Sequence, residues 1–257
     1  MSGALLQKVE PARLRRGAIG VVHAKLAIAK PTHFLVLARD IDGAPLRSGP
    51  RFAGAGPAKW LLDGLGATCL LLLLLPVMCL IALAVRADGG PVLFRHTRIG
   101  QGGRTFGCLK FRSMVIGADR KLAEHLAADL AAAAEWAERR KLANDPRVTR
   151  LGRFLRSTSL DELPQLFNVL RGDMSLVGPR PVVQEELAVH YGATGTAAYM
   201  SVRPGITGLW QISGRSETTY HRRVSLDIHY ASSVSVLRDI GILLRTVPAV
   251  LARRGAV

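Results

Sequence analysis

A chain of 257 residues can form one domain with appendages around a substantial core. Its 35 Lys and Arg against 19 Asp and Glu give a formal charge of +16, which suits anionic partners such as phosphorylated substrates, anionic lipid or nucleic acid. Three cysteines without metal-ligand spacing exclude a disulfide scaffold and a zinc module, and 49% hydrophobic residues in so basic a chain point toward lipid.

In chain order, residues 1–58 are expected to form a basic, partly disordered leader. Up to Lys59 the chain carries ten Lys and Arg against Glu10, Asp40 and Asp42, without clean periodicity or a signal-peptide layout. Residues 59–87 hold an uncharged run from Gly64 to Val85, long enough to cross the roughly 30 Å hydrocarbon core of a bilayer as a helix. A buried helix of a soluble core is the competing reading, but few such helices stay apolar all round for this length. Pro76 removes a backbone donor near the middle of the run, so a kink is expected there. The kink either bends a spanning helix or turns the chain back as a re-entrant hairpin. Lys59 and Arg86 on the two flanks suit the second geometry slightly better.

From Asp88 onward the sequence is soluble in character. Val92–Phe94 and Thr105–Phe111 read as short strands on either side of the glycine-rich turn Gly100–Gly103. Ala118–Leu142 is alanine-rich with Lys, Glu and Arg, predicting a surface helix that Asn144-Asp145-Pro146 ends. Arg147–Arg156 is basic and amphipathic, with Val148, Leu151, Phe154 and Leu155 on one side. A solvated helix face and a helix lying on anionic lipid both fit it.

The densest chemistry lies in Ser157–Pro181. Ser159 and Glu162 form a capping-box pattern, so a helix is predicted to begin here. On that reading alone, Asp161 and Glu162 are first-turn acids that complement the helix dipole. Leu160, Leu163, Leu166, Phe167 and Leu170 offer a continuous apolar face that would fix the pair in place, and Arg150, Arg153, Arg156, Arg171 and Arg180 crowd the same stretch. Plain salt bridging would use such a set. So would phosphoryl chemistry, which needs a carboxylate nucleophile or metal ligand and guanidinium forks for phosphate oxygens. Pro179 and Pro181 pin Arg180 between them, and Lys110 and Arg112 stand two apart on a predicted strand, hence on one face. Farther on, Arg203–Gly208 leads into Leu209-Trp210-Gln211-Ile212-Ser213-Gly214-Arg215, where glycines permit close backbone approach to a ligand. Trp210 would stack on a base in a functional reading and fill a core in the plainer one.

With these residues in view, the chain resembles the bacterial sugar transferases, the monotopic phosphoglycosyl transferases. The resemblance rests on the Pro-broken apolar segment, K-F-R-S-M at Lys110–Met114 and D-P-R-V-T-R-L-G-R-F-L-R at Asp145–Arg156. It rests further on S-L-D-E-L-P-Q-L-F-N-V-L at Ser159–Leu170, G-D-M-S-L-V-G-P-R-P at Gly172–Pro181 and R-P-G-I-T-G-L-W-Q-I-S-G-R at Arg203–Arg215. It covers the chain from Lys59 to Val257. One departure is Leu75, where some relatives carry a serine before the membrane proline.

The resemblance implies an α+β, mostly helical fold. Residues 59–87 would form a re-entrant or kinked membrane helix, and residues 88–257 a cytosolic catalytic domain with amphipathic surface helices and a small β element. It implies that Asp161 attacks the β-phosphate of a UDP-hexose, releasing UMP, and that a polyprenyl phosphate such as undecaprenyl phosphate then displaces the sugar phosphate. Glu162 would act as a base or set the geometry of Mg2+, for which Asp161 is the expected ligand. Lys110, Arg112, Arg156 and Arg180 are expected to hold phosphate groups, with Arg203, Gln211 and Arg215 as further substrate contacts. Ala118–Leu142 and Leu243–Leu251 resemble enzymes that start exopolysaccharide synthesis by transferring galactose or glucose phosphate. The implied location is the bacterial inner membrane, with the catalytic domain on the cytoplasmic face among membrane lipids, no nucleic acid partner, and self-association left open. A membrane adaptor that binds anionic lipid or nucleic acid through distributed Lys and Arg is the competing class, but it has no use for an embedded acid pair. A third reading keeps the enzyme and lets lipid phosphate attack directly, with Asp161 only a metal ligand.

Overall fold

A computed structural model describes residues 56–139, 141–214 and 218–251. Nearly all of the predicted leader, residues 1–58, lies outside these residues, as does Arg215. The first element is α1 (Pro57–Ala87), a helix of 31 residues that Pro57 opens, where no backbone donor is needed. The chain stays helical through Pro76. Lys59, Asp63, Ala67, Leu71, Met78, Ile81 and Val85 form one buried stripe along the length of α1, at helical spacing. The opposite faces expose Leu61, Leu65, Leu72, Leu73, Leu80 and Leu83. α1 is long and apolar enough to cross a membrane, yet one side of it is built into the domain core.

A hairpin follows. β1 (Leu93–Ile99) and β2 (Thr105–Phe111) pair antiparallel, with Leu93 opposite Phe111 and Ile99 opposite Thr105. β1 is longer than the strand predicted over Val92–Phe94, because its polar residues Arg95, His96 and Arg98 mask the alternation that marks a strand. A second small sheet, absent from the sequence reading, pairs β3 (Ser175–Val177) in parallel with β4 (Gly205–Thr207). A Cβ on Gly205 would lie 2.1 Å from the Gly178 nitrogen, so only glycine lets these segments approach so closely.

The rest is mostly helical. α2 (Ala118–Ala128) and α3 (Leu130–Arg139) replace the single helix predicted over Ala118–Leu142. Asp129 leaves helical geometry, and its Oδ1 accepts from the amides of Ala131 and Ala132, so it ends one helix and caps the next. α4 (Arg150–Ser157) is capped by Thr149, whose Oγ1 accepts from the Gly152 amide at 2.8 Å. α5 (Gln165–Leu170) and α6 (Gln184–Glu186) follow, the latter running into a π turn at Leu187–Tyr191. α7 (Gly192–Ser201), α8 (Tyr220–Ala231) and α9 (Val236–Leu251) complete the described chain.

The main core gathers the α1 stripe, Phe106, Cys108 and Phe111 of β2, Leu155 of α4, Leu166 and Val169 of α5, and β3. Phe167 and Leu170 face outward, so the apolar face predicted beside the acid pair is narrower than its sequence spacing suggested. A second cluster of Ile99, Val182, Leu187, Tyr191, Tyr199 and Val224 packs α7 against α8.

Candidate active site

Two devices flank the end of β2. Asn168, fully buried on α5, donates to the Gly107 carbonyl at 2.9 Å and accepts from the Leu109 amide at 3.0 Å, fastening α5 along the strand. On the other side, a Cβ at Gly152 of α4 would stand 1.9 Å from the Ser113 carbonyl oxygen. Arg156 Nε donates to Ser113 Oγ at 2.9 Å, so the serine of the K-F-R-S-M motif aims an arginine of the next motif. The 3-10 turn Leu160–Glu162 joins α4 to α5 and brings its two acids to Lys110.

The predicted capping box does not form at this turn. Ser159 takes φ 58°, a left-handed conformation in which its hydroxyl makes no cap bond, and α5 begins only after Pro164. Such a backbone costs on the order of 1 kcal/mol and collects at functional sites. Charge explains the outcome, because the Glu162 carboxylate turns to Lys110 Nζ at 2.6 Å and Arg180 Nη2 at 3.4 Å. Asp161 is 7% exposed, with Oδ2 3.8 Å from Lys110 Nζ. Burial pushes its carboxyl above the usual carboxylate range, Glu162 adds to the rise, and Lys110, Arg156 and Arg180 oppose it.

A shallow recess opens beside the acids, lined by Arg98, Cys108, Lys110, Glu162, Gln165 and Arg180 among others. Burial pushes the Cys108 thiol up, which keeps it neutral there. Of the predicted site residues, the fold therefore brings together Asp161, Glu162, Lys110, Arg156 and Arg180.

Others go elsewhere. Arg112 lies past the last residue of β2, where strand alternation has ended, and its Nη2 donates to the Val85 carbonyl at the end of α1. Arg203 is a correction of a larger kind. It is 2% exposed, pairs with Asp63 at 2.8 Å, donates to the Met174 carbonyl and stacks its guanidinium 3.4 Å from the Trp60 ring centre. Its charge is spent on docking α1. Gln211 is buried in the turn after β4 beside the Ile206 carbonyl, and Arg215 falls outside the described residues.

Trp210 is half-buried and does not fill the core. Arg180 and Arg223 bring their guanidinium carbons to 5.9 and 4.6 Å from its ring. The sequence reading passed over Arg98, Glu186, Tyr220 and Arg223, which join in one hydrogen-bonded group next to the recess. The strand register could have found Arg98, since it puts that residue on the same face as Lys110. No local pattern marks the other three.

The acid pair, its cations and the motifs around them match a known family over most of the chain. A model of the family described as bacterial sugar transferase matches residues 55–253. The chain belongs to this family. The match in this bacterial sugar transferase takes in α1 and every residue of the acid and cation cluster. The chain is 50% identical over 194 residues to the UDP-galactose-lipid carrier transferase of Erwinia amylovora, an alignment covering 76% of this chain and 40% of that protein. It is 48% identical over 202 residues to the exopolysaccharide production protein ExoY of Sinorhizobium fredii, covering 78% of this chain and 88% of that protein. It is 43% identical over 222 residues to a UDP-glucose:undecaprenyl-phosphate glucose-1-phosphate transferase of Caulobacter vibrioides, covering 83% and 76%.

Proposed function

We propose that the protein transfers a hexose 1-phosphate, galactose or glucose, from a UDP-sugar to undecaprenyl phosphate and so starts an exopolysaccharide or similar glycoconjugate. The observation that carries this reading is the Asp161-Glu162 pair, with Asp161 buried and Glu162 half-buried beside Lys110, Arg156 and Arg180 at a cation-lined recess. The names of the relatives supply the substrates: a UDP-galactose-lipid carrier transferase and a UDP-glucose:undecaprenyl-phosphate glucose-1-phosphate transferase.

In the covalent route, an Asp161 carboxylate oxygen attacks the β-phosphorus of the UDP-sugar. The bond from that phosphorus to the bridging oxygen breaks, and UMP leaves with the electron pair. A phosphate oxygen of undecaprenyl phosphate then attacks the same phosphorus, freeing Asp161 and giving undecaprenyl diphosphate sugar. Lys110 holds Glu162 in place and offsets charge at Asp161, while Arg156 and Arg180 supply guanidinium donors to phosphate oxygens. Among the described residues no three His, Cys, Asp or Glu gather as a metal site. Two adjacent carboxylates fit the oxygen ligands that Mg2+ prefers. Asp161 and Glu162 would hold it, and when bound it neutralises charge between two anionic reactants.

Residues 59–87 in this reading are embedded in the inner membrane without crossing it, and residues 88–257 form the catalytic domain on the cytoplasmic face. Support comes from both ends of α1 being held by one domain. Lys59 bonds Asp239 and the Val177 carbonyl near its start, and Arg112 bonds the Val85 carbonyl near its end. An upright spanning helix would carry that second contact across the bilayer.

The test is UMP release from UDP-galactose and UDP-glucose by membranes containing the protein, with undecaprenyl phosphate and Mg2+ added. Asp161→Asn is expected to abolish it, and full activity in that variant would refute the reading. A sugar-phosphate-labelled peptide containing Asp161 separates the covalent route from direct attack by the lipid.

A further inference from the structure

The antiparallel register sets Phe94 opposite Lys110 and His96 opposite Cys108. Opposed residues share a face of the hairpin, and so do alternate residues along one strand. Arg98 therefore projects from the same face as Lys110, and both line the recess beside the acid pair. Their partners differ. Lys110 bonds Glu162 and approaches Asp161, whereas Arg98 donates to Glu186 Oε1 at 3.3 Å and meets His96 Nδ1 at 3.0 Å. Arg98 pairs across from Phe106, four residues along the hairpin from the Phe94 and Lys110 pair and so roughly 13 Å away at strand spacing, which places it farther along the recess than Lys110.

Glu186 has little need of Arg98. It also accepts from the Tyr220 hydroxyl, from Arg223 Nη1 at 3.5 Å and from the Val183 amide at 3.5 Å. Burial disfavours its charge, yet the Tyr220 hydrogen bond and the Arg223 and Arg98 guanidinium groups hold its carboxyl below the usual range. Arg223 is itself fixed between rings, 4.6 Å from the centre of Trp210 and 5.0 Å from that of Tyr220. With these other donors in place, Arg98 can exchange one long ion pair for a phosphate oxygen without stranding a buried carboxylate.

We propose that Arg98 binds the α-phosphate of the UDP-sugar and stabilises the departing UMP, with Glu186 as the resting partner that aims it. This rests on the transfer reaction proposed above. In-line attack by Asp161 at the β-phosphorus puts the departing oxygen on the side opposite the attacking carboxylate. The electron pair of the broken bond goes to an α-phosphate oxygen, and a donor preset at that end lowers the barrier. Of the cations lining the recess, Lys110 and Arg180 are engaged at Glu162, and Arg98 lies farther along the hairpin from Lys110.

The experiment is calorimetric binding of UMP and of uridine to the full chain in nanodiscs, for wild type, Arg98→Gln and Arg98→Lys, with melting temperatures recorded alongside. Arg98→Gln should weaken UMP by about 10- to 100-fold, the worth of a hydrogen bond to a charged group, and leave uridine unchanged. Arg98→Lys keeps the charge without the fork, is expected to fall between, and serves if the glutamine variant does not fold. UMP affinity within about twofold of wild type in both variants overturns the proposal. So does equal weakening of UMP and uridine, which marks a purely structural residue. Wild-type protein that binds UMP through Arg98 but releases none from any UDP-sugar sinks the transfer reaction and leaves this contact standing.

Discussion

Lys110 Nζ donates to Glu162 Oε1 at 2.6 Å and stops 3.8 Å from Asp161 Oδ2. The ammonium spends its hydrogen bond on the neighbour and reaches the proposed nucleophile only through its field. Burial raises the Asp161 carboxyl, and Lys110 is the foremost group opposing that rise. Attack needs the ionised carboxylate, so activity should fall on acidification at a pH above that of an exposed aspartate. Lys110→Met removes the opposing charge and should move this acid limb to still higher pH. The pH profile of UMP release checks it, and a limb that moves down contradicts the assignment.

Arg203 is expected to matter for stability and not for substrate affinity. Arg203→Met leaves Asp63 buried without its guanidinium, a change that costs about 3–5 kcal/mol for a buried ion pair. The melting temperature should drop while the KM for UDP-sugar in the folded fraction stays unchanged. Adding Asp63→Leu should recover only part of the loss, because the carboxylate left without its guanidinium goes with it while the buried Ser175 hydroxyl and Leu176 amide lose their acceptor. A raised KM at wild-type stability would return Arg203 to the substrate site.

Legibility followed the range of the interactions. Asp161, Glu162, Lys110, Arg156 and Arg180 could be singled out in the sequence because each sits in a dense local motif, and the fold gathers them. Arg203 could not be placed, because its partner Asp63 is far away along the chain, at the start of a helix whose apolar run dominates its appearance. Arg112 was grouped with Lys110 by strand alternation, which ends one residue too soon for it. Arg98 needed the strand register, and the three-residue strands β3 and β4 needed a pairing that no local pattern encodes. Ser159 carried a correct capping pattern that lost to the pull of Lys110 and Arg180 on Glu162.

Gly152 and Ser113 should prove more sensitive than their size suggests. Gly152→Ala forces a methyl group against the Ser113 carbonyl, so α4 must shift and take Arg156 with it. Loss of most UMP release is expected, together with lower stability. Ser113→Ala removes only the Arg156 hydrogen bond, worth about 0.5–1.5 kcal/mol, and should give a milder defect in protein of near wild-type stability. Equal defects in the two variants would mean that the close approach at Gly152 does not position Arg156.

Asp227 on α8 makes stability depend on pH in the direction opposite to most carboxylates. It accepts from the Tyr191 hydroxyl at 2.8 Å, and burial pushes its carboxyl up to about 6. The folded state then holds the proton more tightly than the unfolded chain, whose aspartates titrate near 3.9. Between those values the folded state binds more protons, so the contribution of Asp227 to stability falls as pH rises and is least favourable above about 6. Asp227→Asn keeps an acceptor for Tyr191 and removes the titration. At pH 7.5 the variant should be the more stable by an amount on the order of 3 kcal/mol. That advantage should shrink steadily toward pH 4. Thermal melts of both proteins across this range check it, and a stability difference that does not change with pH would mean that Asp227 does not titrate there.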